Sequence, residues 1–358
     1  MISLYVASTA PYSGKSLICM GMGRRFLKDG YVIGYMKPMG NDPIRVGNEL
    51  TDGDAVFIEH ALELEEPPRE LCPVIVTPDL KNKAFQGEME DLEEKIRSSH
   101  AHLSKGKDIM LIGGVGDMRT GWYLGISGYR LAETLDTKVI VVDKYDMGVN
   151  LDSLLALKKH LGDRLIGVIL NRVYESKIDY LQRVEIPFLE AKGVKVLGII
   201  PHDIALFAVS VEKLCDVLGG EFICGEQYKD NMVERFSVGA MNVESALRFF
   251  RRIKNKAVIT GGDRADIQLA ALETSTRVIV LTGGLYPNEL IISRAEQKKV
   301  PLILVKSDTL TTIERFEQIL GRLSIREGTK VERANVLINE KLDFDYIYQK
   351  LGLSSSTK

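Results

Sequence analysis

The sequence has only four cysteines, one tryptophan and no long run of apolar residues. The cysteines show no Cys-x-x-Cys spacing and no disulfide-like density, so we expect them to be buried and reduced. No apolar stretch is long enough to cross a bilayer, and the chain begins in a strand-like run rather than a signal peptide. The net charge of −2 gives no general attraction to nucleic acid or to an anionic membrane. We therefore expect a cytoplasmic protein with neither of these partners.

Length and periodicity predict an α/β protein with two domains. A chain of 358 residues exceeds what one hydrophobic core usually organises. Short apolar runs alternate with longer helical patterns, and continuous apolar runs are typical of parallel strands covered on both faces. The predicted strands of the first domain are Ile2–Ala7, Val32–Met36, Ile109–Ile112, Lys138–Val142, Leu165–Leu170 and Val194–Ile199. Repeated strand–helix–strand units predict a parallel sheet with helices on both faces.

Domain boundaries are predicted from breaks in this alternation. The first domain is expected at residues 1–220, because periodicity weakens after Gly219-Gly220. A linker is expected at 221–232 and a smaller α/β domain at 233–325. Residues 326–358 are expected to form one amphipathic helical region and a disordered tail.

The segment Thr9–Ser16 reads Thr-Ala-Pro-Tyr-Ser-Gly-Lys-Ser and lies between the first strand and a helical pattern. This order is typical of a P-loop NTPase, in which backbone N–H groups and the helix N-terminus face phosphates. The predicted nucleotide contacts are Ser13, Gly14 and Lys15, with the Ser16 hydroxyl as a Mg²⁺ ligand. A threonine replaces the usual opening glycine. The alternative is a plain strand–helix turn with a solvated lysine and serine.

Further fragments of the first domain resemble dethiobiotin synthetase and its relatives. They are Lys37-Pro38 at the second strand end, Asp52-Gly53-Asp54, Asn171 after the fifth strand and Pro201 after the sixth. The resemblance implies that ATP and Mg²⁺ are cofactors and that Lys37 joins the loop lysine, Lys15, in stabilising phosphoryl charge. It also implies that Asp52 or Asp54 holds Mg²⁺, that Asn171 reads the adenine edge and that Pro201 borders the base. In the alternative, these fragments are a strand terminus, a solvated turn and a helix cap.

One position departs from this family. In dethiobiotin synthetases the strand matching Ile109–Ile112 precedes a Glu-Gly-x-Gly turn whose glutamate helps to hold Mg²⁺, and Gly113 stands there in this sequence. The resemblance then implies nucleotide binding with slow chemistry or none. Two compensations stay open: Asp117 reaches back to the metal, or residues 113–116 form a backbone-amide nest for an anion.

The second domain carries two motifs that follow predicted strands. They are Gly262-Asp263-Arg264 and Thr282-Gly283-Gly284, and together they resemble the DRTGG domain of phosphotransacetylases and some regulated pyrophosphatases. Ligands of open α/β sheets bind at the carboxyl ends of strands. We therefore expect a second site, for an unknown small molecule, formed by Asp263, Arg264, Thr282, Gly283 and Gly284. In the alternative, Asp263 caps the helix, Arg264 pairs with it or with a partner subunit, and the glycines form a tight turn.

The two resemblances in this order match the N-terminal half of long phosphotransacetylases, and the chain looks like that half as a free-standing protein without an acetyltransferase domain. The resemblance implies a regulatory, subunit-organising region and hence a homo-oligomer. Three functions stay open. The first is an ATP-dependent synthetase, ligase or ATPase acting on a small carboxylate, such as a cobyrinic acid synthase-like enzyme that lacks its amidotransferase domain. The second is an ATP sensor that controls a partner enzyme, and the third is a structural module with a relic nucleotide site.

Overall fold

The computed structural model describes residues 1–146, 148–203, 206, 208–322 and 328–354. They divide into two units, one formed by residues 1–202 and 328–358 and the other by residues 203–327. Of the predicted tail at 354–358, residues 355–358 lie outside the described residues. In the described part of the chain, no helix has the length and apolar character that a membrane span needs. The four cysteines are free thiols and are buried, as predicted.

The continuous apolar runs of the first unit form a six-stranded parallel sheet, which confirms the predicted fold class. The strands of this unit are β1 (Ile2–Ser8), β2 (Ile33–Met36), β3 (Met39–Gly40), β4 (Pro43–Val46), β5 (Glu49–Asp52), β6 (Val74–Ile75), β7 (Ile109–Gly113), β8 (Lys138–Lys144), β9 (Leu165–Val173) and β10 (Val196–Pro201). The main sheet has the order β10-β9-β8-β1-β7-β2, while β3 pairs with β6 and β4 with β5. Consecutive residues of β1, β7 and β8 are buried, so helices cover both faces of this sheet.

The helices of the first unit come from both of its chain segments. They are α1 (Lys15–Lys28), α2 (Gly53–Ala61), α3 (Pro68–Leu71), α4 (Pro78–Gln86), α5 (Leu92–Leu103), α6 (Gly128–Thr134), α7 (Leu151–Leu161), α8 (Glu175–Tyr180) and α9 (Ile186–Ala191), and, after the second unit, α15 (Gly328–Lys341) and α16 (Phe344–Leu351). A π-helical turn at Leu181–Glu185 joins α8 to α9, and short 3₁₀ turns lie at Trp122–Leu124 and Gly162–Arg164.

The second unit is a smaller α/β fold. Its elements are β11 (Val209–Ser210), α10 (Val211–Leu218), β12 (Glu221–Cys224), β13 (Met232–Val233), β14 (Arg235–Val238), α11 (Val243–Phe250), β15 (Lys256–Gly261), α12 (Ala265–Leu272), β16 (Thr276–Thr282), α13 (Glu289–Lys298), β17 (Leu302–Leu304) and α14 (Thr309–Arg322), with a 3₁₀ turn at Glu226–Tyr228. The sheet order is β12-β17-β16-β15-β14, parallel except for β12 against β17, and β11 pairs with β13.

Two boundaries differ from the sequence-based expectation. The expected linker at 221–232 contains β12, an edge strand of the second sheet, and the second unit already begins at residue 203. The C-terminal region forms two helices instead of one and belongs to the first unit. The break between them lies at Leu342, which forms a β-bridge with Gly198, and at Asp343, which caps α16 and donates its N–H to the Leu197 carbonyl at 2.8 Å.

The C-terminal segment packs directly on α1, the helix that follows the predicted phosphate loop. Gly21 of α1 permits this approach, since a Cβ there would lie 2.3 Å from Cδ1 of Ile338 in α15. The Arg25 guanidinium lies 4.8 Å from the ring centroid of Phe344, and Phe26 meets the same ring edge-on. The position of α1 is therefore fixed in part by residues far away in sequence.

Candidate functional site

The predicted phosphate loop connects β1 to α1 at the carboxyl edge of the sheet. Gly14 has a φ of 94° and precedes the first helical residue, Lys15. This left-handed conformation favours glycine, and a Cβ at Gly14 would lie 2.3 Å from Nδ2 of Asn171. The loop and the N-terminus of α1 thus form the type of turn that presents backbone N–H groups to an anion.

The Lys15 ammonium is held at this turn by two neutral oxygens. Its Nζ donates to Oγ of Ser8 at 2.6 Å and to the carbonyl of Gly116 at 2.8 Å. Partial burial and the nearby Lys37 ammonium together lower the pKa of Lys15 to about 8. Because both acceptors are neutral, the charge of the Lys15 ammonium is not offset by a hydrogen-bonded carboxylate and can attract an anionic ligand.

Asn171, predicted to read an adenine, supports the loop from β9. Its side chain is buried, its Nδ2 donates to the Ser13 carbonyl at 2.7 Å and its Oδ1 accepts the Arg172 N–H at 2.9 Å. Ser13 is also buried, and its hydroxyl donates to the Ala10 carbonyl at 2.6 Å. Asn171 is thus a positioning residue for the phosphate loop in this structure, a role that the sequence did not suggest.

A second support of the loop was missed by sequence reasoning. The Thr9 hydroxyl donates to Oδ1 of Asp143, whose Oδ2 accepts the Asn150 N–H at 3.1 Å. Asp143 is buried, and burial raises the pKa of its carboxyl. The threonine at the place of the usual opening glycine therefore anchors the loop to β8. The available signal was an aspartate at the end of an apolar strand.

Lys37 and Asp52 form a buried ion pair beside the loop. Lys37 Nζ lies 2.6 Å from Oδ1 of Asp52 and 3.2 Å from Oδ2 of Asp54. Burial opposes the charge of Lys37, but the carboxylates of Asp54 and Asp52 raise its pKa. The two oxygens of Asp52 also accept four backbone N–H groups, those of Asn41, Asp42, Asp54 and Ala55, at 3.0–3.2 Å. Asp52 thereby caps α2, as the alternative reading predicted, whereas the Asp54 side chain stays partly exposed.

The absence of a glutamate at position 113 has a structural explanation. A Cβ at Gly113 would lie 2.5 Å from the Tyr35 hydroxyl oxygen, and the Tyr35 side chain is buried. The carboxylate of Asp117, the suggested replacement, accepts from the Arg119 guanidinium at 2.6 Å in this structure. The expected amide nest is also not seen at Gly114, whose N–H donates to the Val6 carbonyl at 2.9 Å.

The residues present fit a Mg²⁺ ion carried by a nucleotide. Ser16 is half-buried in the first turn of α1, and Asp54 is the accessible carboxylate of the nearby pair. Mg²⁺ usually keeps several waters and takes one or two protein oxygens beside the phosphates. No group of three or more metal-ligating side chains lies in the described part of the chain. A donor set of one hydroxyl and one carboxylate suits an ion that also binds the phosphates of a nucleotide.

Pro201 ends β10, next to the strand that carries Asn171. It pairs with Val173 across the two strands, so both predicted base contacts lie at one edge of the sheet. The adjacent His202 ring stacks on Tyr174, with ring centroids 4.5 Å apart and an interplanar angle of 33°. This aromatic pair is a further feature of the predicted base region.

Arg264 of the second unit forms hydrogen bonds to a neighbouring carboxylate and to one backbone carbonyl of the same unit. Its guanidinium donates to both carboxylate oxygens of Asp266 at 3.0 and 3.1 Å and to the Met241 carbonyl at 3.0 Å. The helix α12 begins without a side-chain cap, so Asp263 does not cap it, and Arg264 pairs with Asp266 rather than with Asp263. Arg264 thus pairs with a carboxylate three residues further along the chain than the one expected in the alternative.

The second predicted motif, Thr282-Gly283-Gly284, also forms hydrogen bonds to neighbouring residues. The N–H of Gly283 donates to the Ser307 carbonyl at 2.9 Å, and that of Gly284 donates to the Val305 carbonyl at 3.0 Å. The Thr282 hydroxyl lies 2.8 Å from the Thr309 hydroxyl. The glycines have φ values of 81° and 66°, as in a tight turn. In this structure both amides therefore donate to neighbouring carbonyls, and the ligand site at this turn stays a prediction.

Comparison with known proteins identifies both parts of the chain. A profile of the AAA domain family matches residues 3–210, and a DRTGG domain profile matches residues 213–319. A phosphate acetyltransferase of Synechocystis is 25% identical over 95% of this chain and 50% of its own length. Another, of Pseudomonas aeruginosa, is 22% identical over 98% of this chain and 52% of its own length. The chain thus spans about half the length of these curated relatives.

Solved structures give matches of low similarity. The cell division protein MinD of Aquifex aeolicus is 14% identical, with a TM-score of 0.36, and covers 57% of this chain and 84% of its own. The CBS and DRTGG regulatory region of Clostridium perfringens pyrophosphatase, solved with its activator diadenosine tetraphosphate, is 21% identical, with a TM-score of 0.29, over 44% of this chain and 74% of its own. The AAA domain profile matches more than half of the sequence, which is the decisive finding. The chain is also similar to the N-terminal region of phosphate acetyltransferases. It therefore belongs to the AAA domain family, with a dethiobiotin-synthetase-like P-loop unit followed by a DRTGG domain.

Proposed function

We propose that this chain binds Mg²⁺–ATP at its phosphate loop and uses the bound nucleotide as a regulatory signal. The observation that carries the proposal is the Lys15 ammonium, which lies at the N-terminus of α1 and donates only to the neutral oxygens of Ser8 and Gly116. A helix N-terminus and an adjacent lysine form an anion site. A relic loop without function would have no physical need for a cation in this position.

The surroundings of the loop favour binding over turnover. Phosphoryl transfer depends on groups that hold the metal and neutralise charge in the transition state. Asp52 is saturated by Lys37 and by backbone N–H groups, and the place of the expected glutamate is closed by Tyr35. Asp54 and Ser16 would hold the ion, which supplies charge neutralisation of the phosphates. Lys15 and Lys37 would orient the phosphate oxygens.

The relatives suggest which activity is regulated. The phosphate acetyltransferase of Synechocystis aligns with 95% of this chain and with 50% of its own length. We infer that it controls an acetyl-transfer activity of that kind, as a homo-oligomer. In this proposal, Arg264, Asp263 and the Thr282-Gly283-Gly284 turn organise the second unit internally, because their hydrogen bonds end on neighbouring residues.

The test is a calorimetric titration of the purified protein with Mg²⁺–ATP, combined with a phosphate-release assay. Saturable binding is expected in the wild type and in Lys28→Ala, a control lysine exposed in the last turn of the same helix. Lys15→Ala should weaken binding by at least tenfold at an unchanged melting temperature. Equal affinity in Lys15→Ala would disprove the phosphate-loop assignment. Steady phosphate release by the wild type would instead support the ligase or ATPase alternative.

A further inference from the structure

A separate groove of the first unit combines aromatic rings with arginines. It has a volume of about 670 Å³ and lies between the segment 119–127, α6 and α7. We call it the Trp122 groove, after the only tryptophan of the chain. The side chains that define it are Trp122, Tyr129, His160, Arg119, Arg130 and Arg164.

The aromatic part of the groove consists of an exposed indole and a pair of contacting rings. The Trp122 side chain is 69% exposed, although its 3₁₀ turn lies between two glycines in left-handed conformations, Gly121 and Gly125. The rings of Tyr129 and His160 contact each other with centroids 5.2 Å apart. Burying an exposed indole against a planar ligand gains both apolar area and stacking energy.

The three arginines are oriented by carboxylates that do not line the groove. The ion pairs are Arg119–Asp117 at 2.6 Å, Arg130–Glu93 at 2.9 Å and Arg164–Asp136 at 2.6 Å. A guanidinium carries five N–H donors, so one carboxylate fixes its plane and leaves donors for another anion. Among the charged side chains lining the groove, these three arginines outnumber the single carboxylate, Glu133.

We propose that the Trp122 groove binds a planar aromatic ring that carries a phosphate, as in a nucleoside monophosphate. The ring stacks on Trp122 beside Tyr129, and the phosphate accepts from Arg130 and Arg164. The volume is within the usual range of small-ligand sites, about 300–1,000 Å³. The proposal does not depend on the phosphate loop, since none of its residues line the groove.

The test uses the fluorescence of Trp122 in a Lys15→Met variant, in which the phosphate loop is silenced. AMP, GMP and CMP are the probes, with adenosine and inorganic phosphate as half-ligands. We expect saturable quenching by at least one nucleotide, with an affinity at least tenfold higher than that of either half-ligand. No saturable quenching by any of the three nucleotides would overturn the proposal, as would equal affinity for phosphate alone.

Matched variants separate the groove from general charge effects. Arg130→Ala and Arg164→Ala should each weaken nucleotide binding by about tenfold, the effect of losing one strong charge-assisted contact of about 1.4 kcal/mol. Arg97→Ala is the control, because Arg97 is an exposed arginine of α5 that also pairs with a carboxylate, Glu94. Equal losses in all three variants would refute a specific site.

Two further measurements control for the loss of the optical signal and for misfolded variants. Trp122→Phe removes the optical signal, so calorimetry must still detect nucleotide binding in this variant if the arginines hold the phosphate. Melting temperatures identify any variant that fails to fold. If Arg164→Ala does not fold, Arg164→Lys replaces it, and weaker binding is still expected because lysine lacks the forked guanidinium group.

Iodide must quench the fluorescence of Trp122 in the ligand-free protein. Protection from iodide would mean that the groove is covered in solution, which contradicts the proposal.

Discussion

Nucleotide binding to the phosphate loop should be accompanied by proton uptake at Lys15. In the free protein, burial and the Lys37 charge lower the pKa of Lys15 to about 8, whereas an unperturbed lysine has a pKa of about 10.4. A polyphosphate beside the ammonium favours its charged form and raises this pKa again. Because the free protein loses the proton as the pH rises through 8, affinity for the nucleotide should fall in the same direction.

The magnitude follows from this shift. If binding restores a pKa near the ordinary value, Lys15 takes up about 0.1 proton at pH 7, about 0.5 at pH 8 and about 0.9 at pH 9. The dissociation constant should then rise about tenfold between pH 7 and pH 9, equivalent to about 1.4 kcal/mol. The phosphates of ATP do not titrate appreciably at the upper end of this interval, so the change belongs to the protein.

Calorimetry in buffers of different ionisation enthalpy measures the number of protons directly. The exposed-lysine variant Lys28→Ala should show the same uptake as the wild type. Uptake below about 0.1 proton at both pH 8 and pH 9 would refute the reasoning, because Lys15 would then be fully charged before binding or would not contact the phosphates. A pH-independent affinity over this range would have the same meaning.

Three substitutions test the surrounding contacts. Asp52→Asn leaves the buried ammonium of Lys37 without its nearest carboxylate and should reduce the free energy of unfolding by about 3 kcal/mol in urea titrations; no loss would contradict the buried pair. Gly262→Ala should lower the melting temperature of the second unit, at a cost of about 1–3 kcal/mol, because its Cβ would lie 1.7 Å from the Leu285 carbonyl oxygen; an unchanged melting curve would disprove that packing. Asn171→Leu removes a hydrogen bond to the phosphate loop and should weaken Mg²⁺–ATP binding about tenfold, whereas unaltered affinity would exclude a positioning role.

The main features of the fold were predictable from local sequence. The six strands of the first sheet were found because each is a continuous apolar run, as two-sided burial requires. The Gly14-Lys15 turn was found because its spacing and its place after β1 are local properties. The helix cap at Asp52 was one of the sequence-based alternatives, but its buried ion pair with Lys37 and its hydrogen bonds to the Asn41 turn were not predictable, because they join separate segments of the chain.

The closure of position 113 shows why site chemistry is harder to infer than fold. A glycine in the sequence reveals only that a side chain is missing. The structure shows that Tyr35, on the neighbouring strand β2, occupies the adjacent space, so a larger residue at Gly113 would require the tyrosine to move. Gly113 and Tyr35 lie far apart in the chain, and only the pairing of β7 with β2 brings them together.

The path of the chain bears on the regulatory role that we propose. The second unit is inserted between β10, which ends at Pro201, and α15, which packs on α1. One covalent connection therefore leaves from the strand that borders the predicted base region, and the other leads into α15, which packs on the helix that begins with Lys15. A nucleotide that shifts α1 must displace α15 or strain their contact, because Gly21 leaves no space between the helices. In the regulatory role that we propose, one chain connection would thus end on a strand of the predicted base region and the other on a helix that packs against α1.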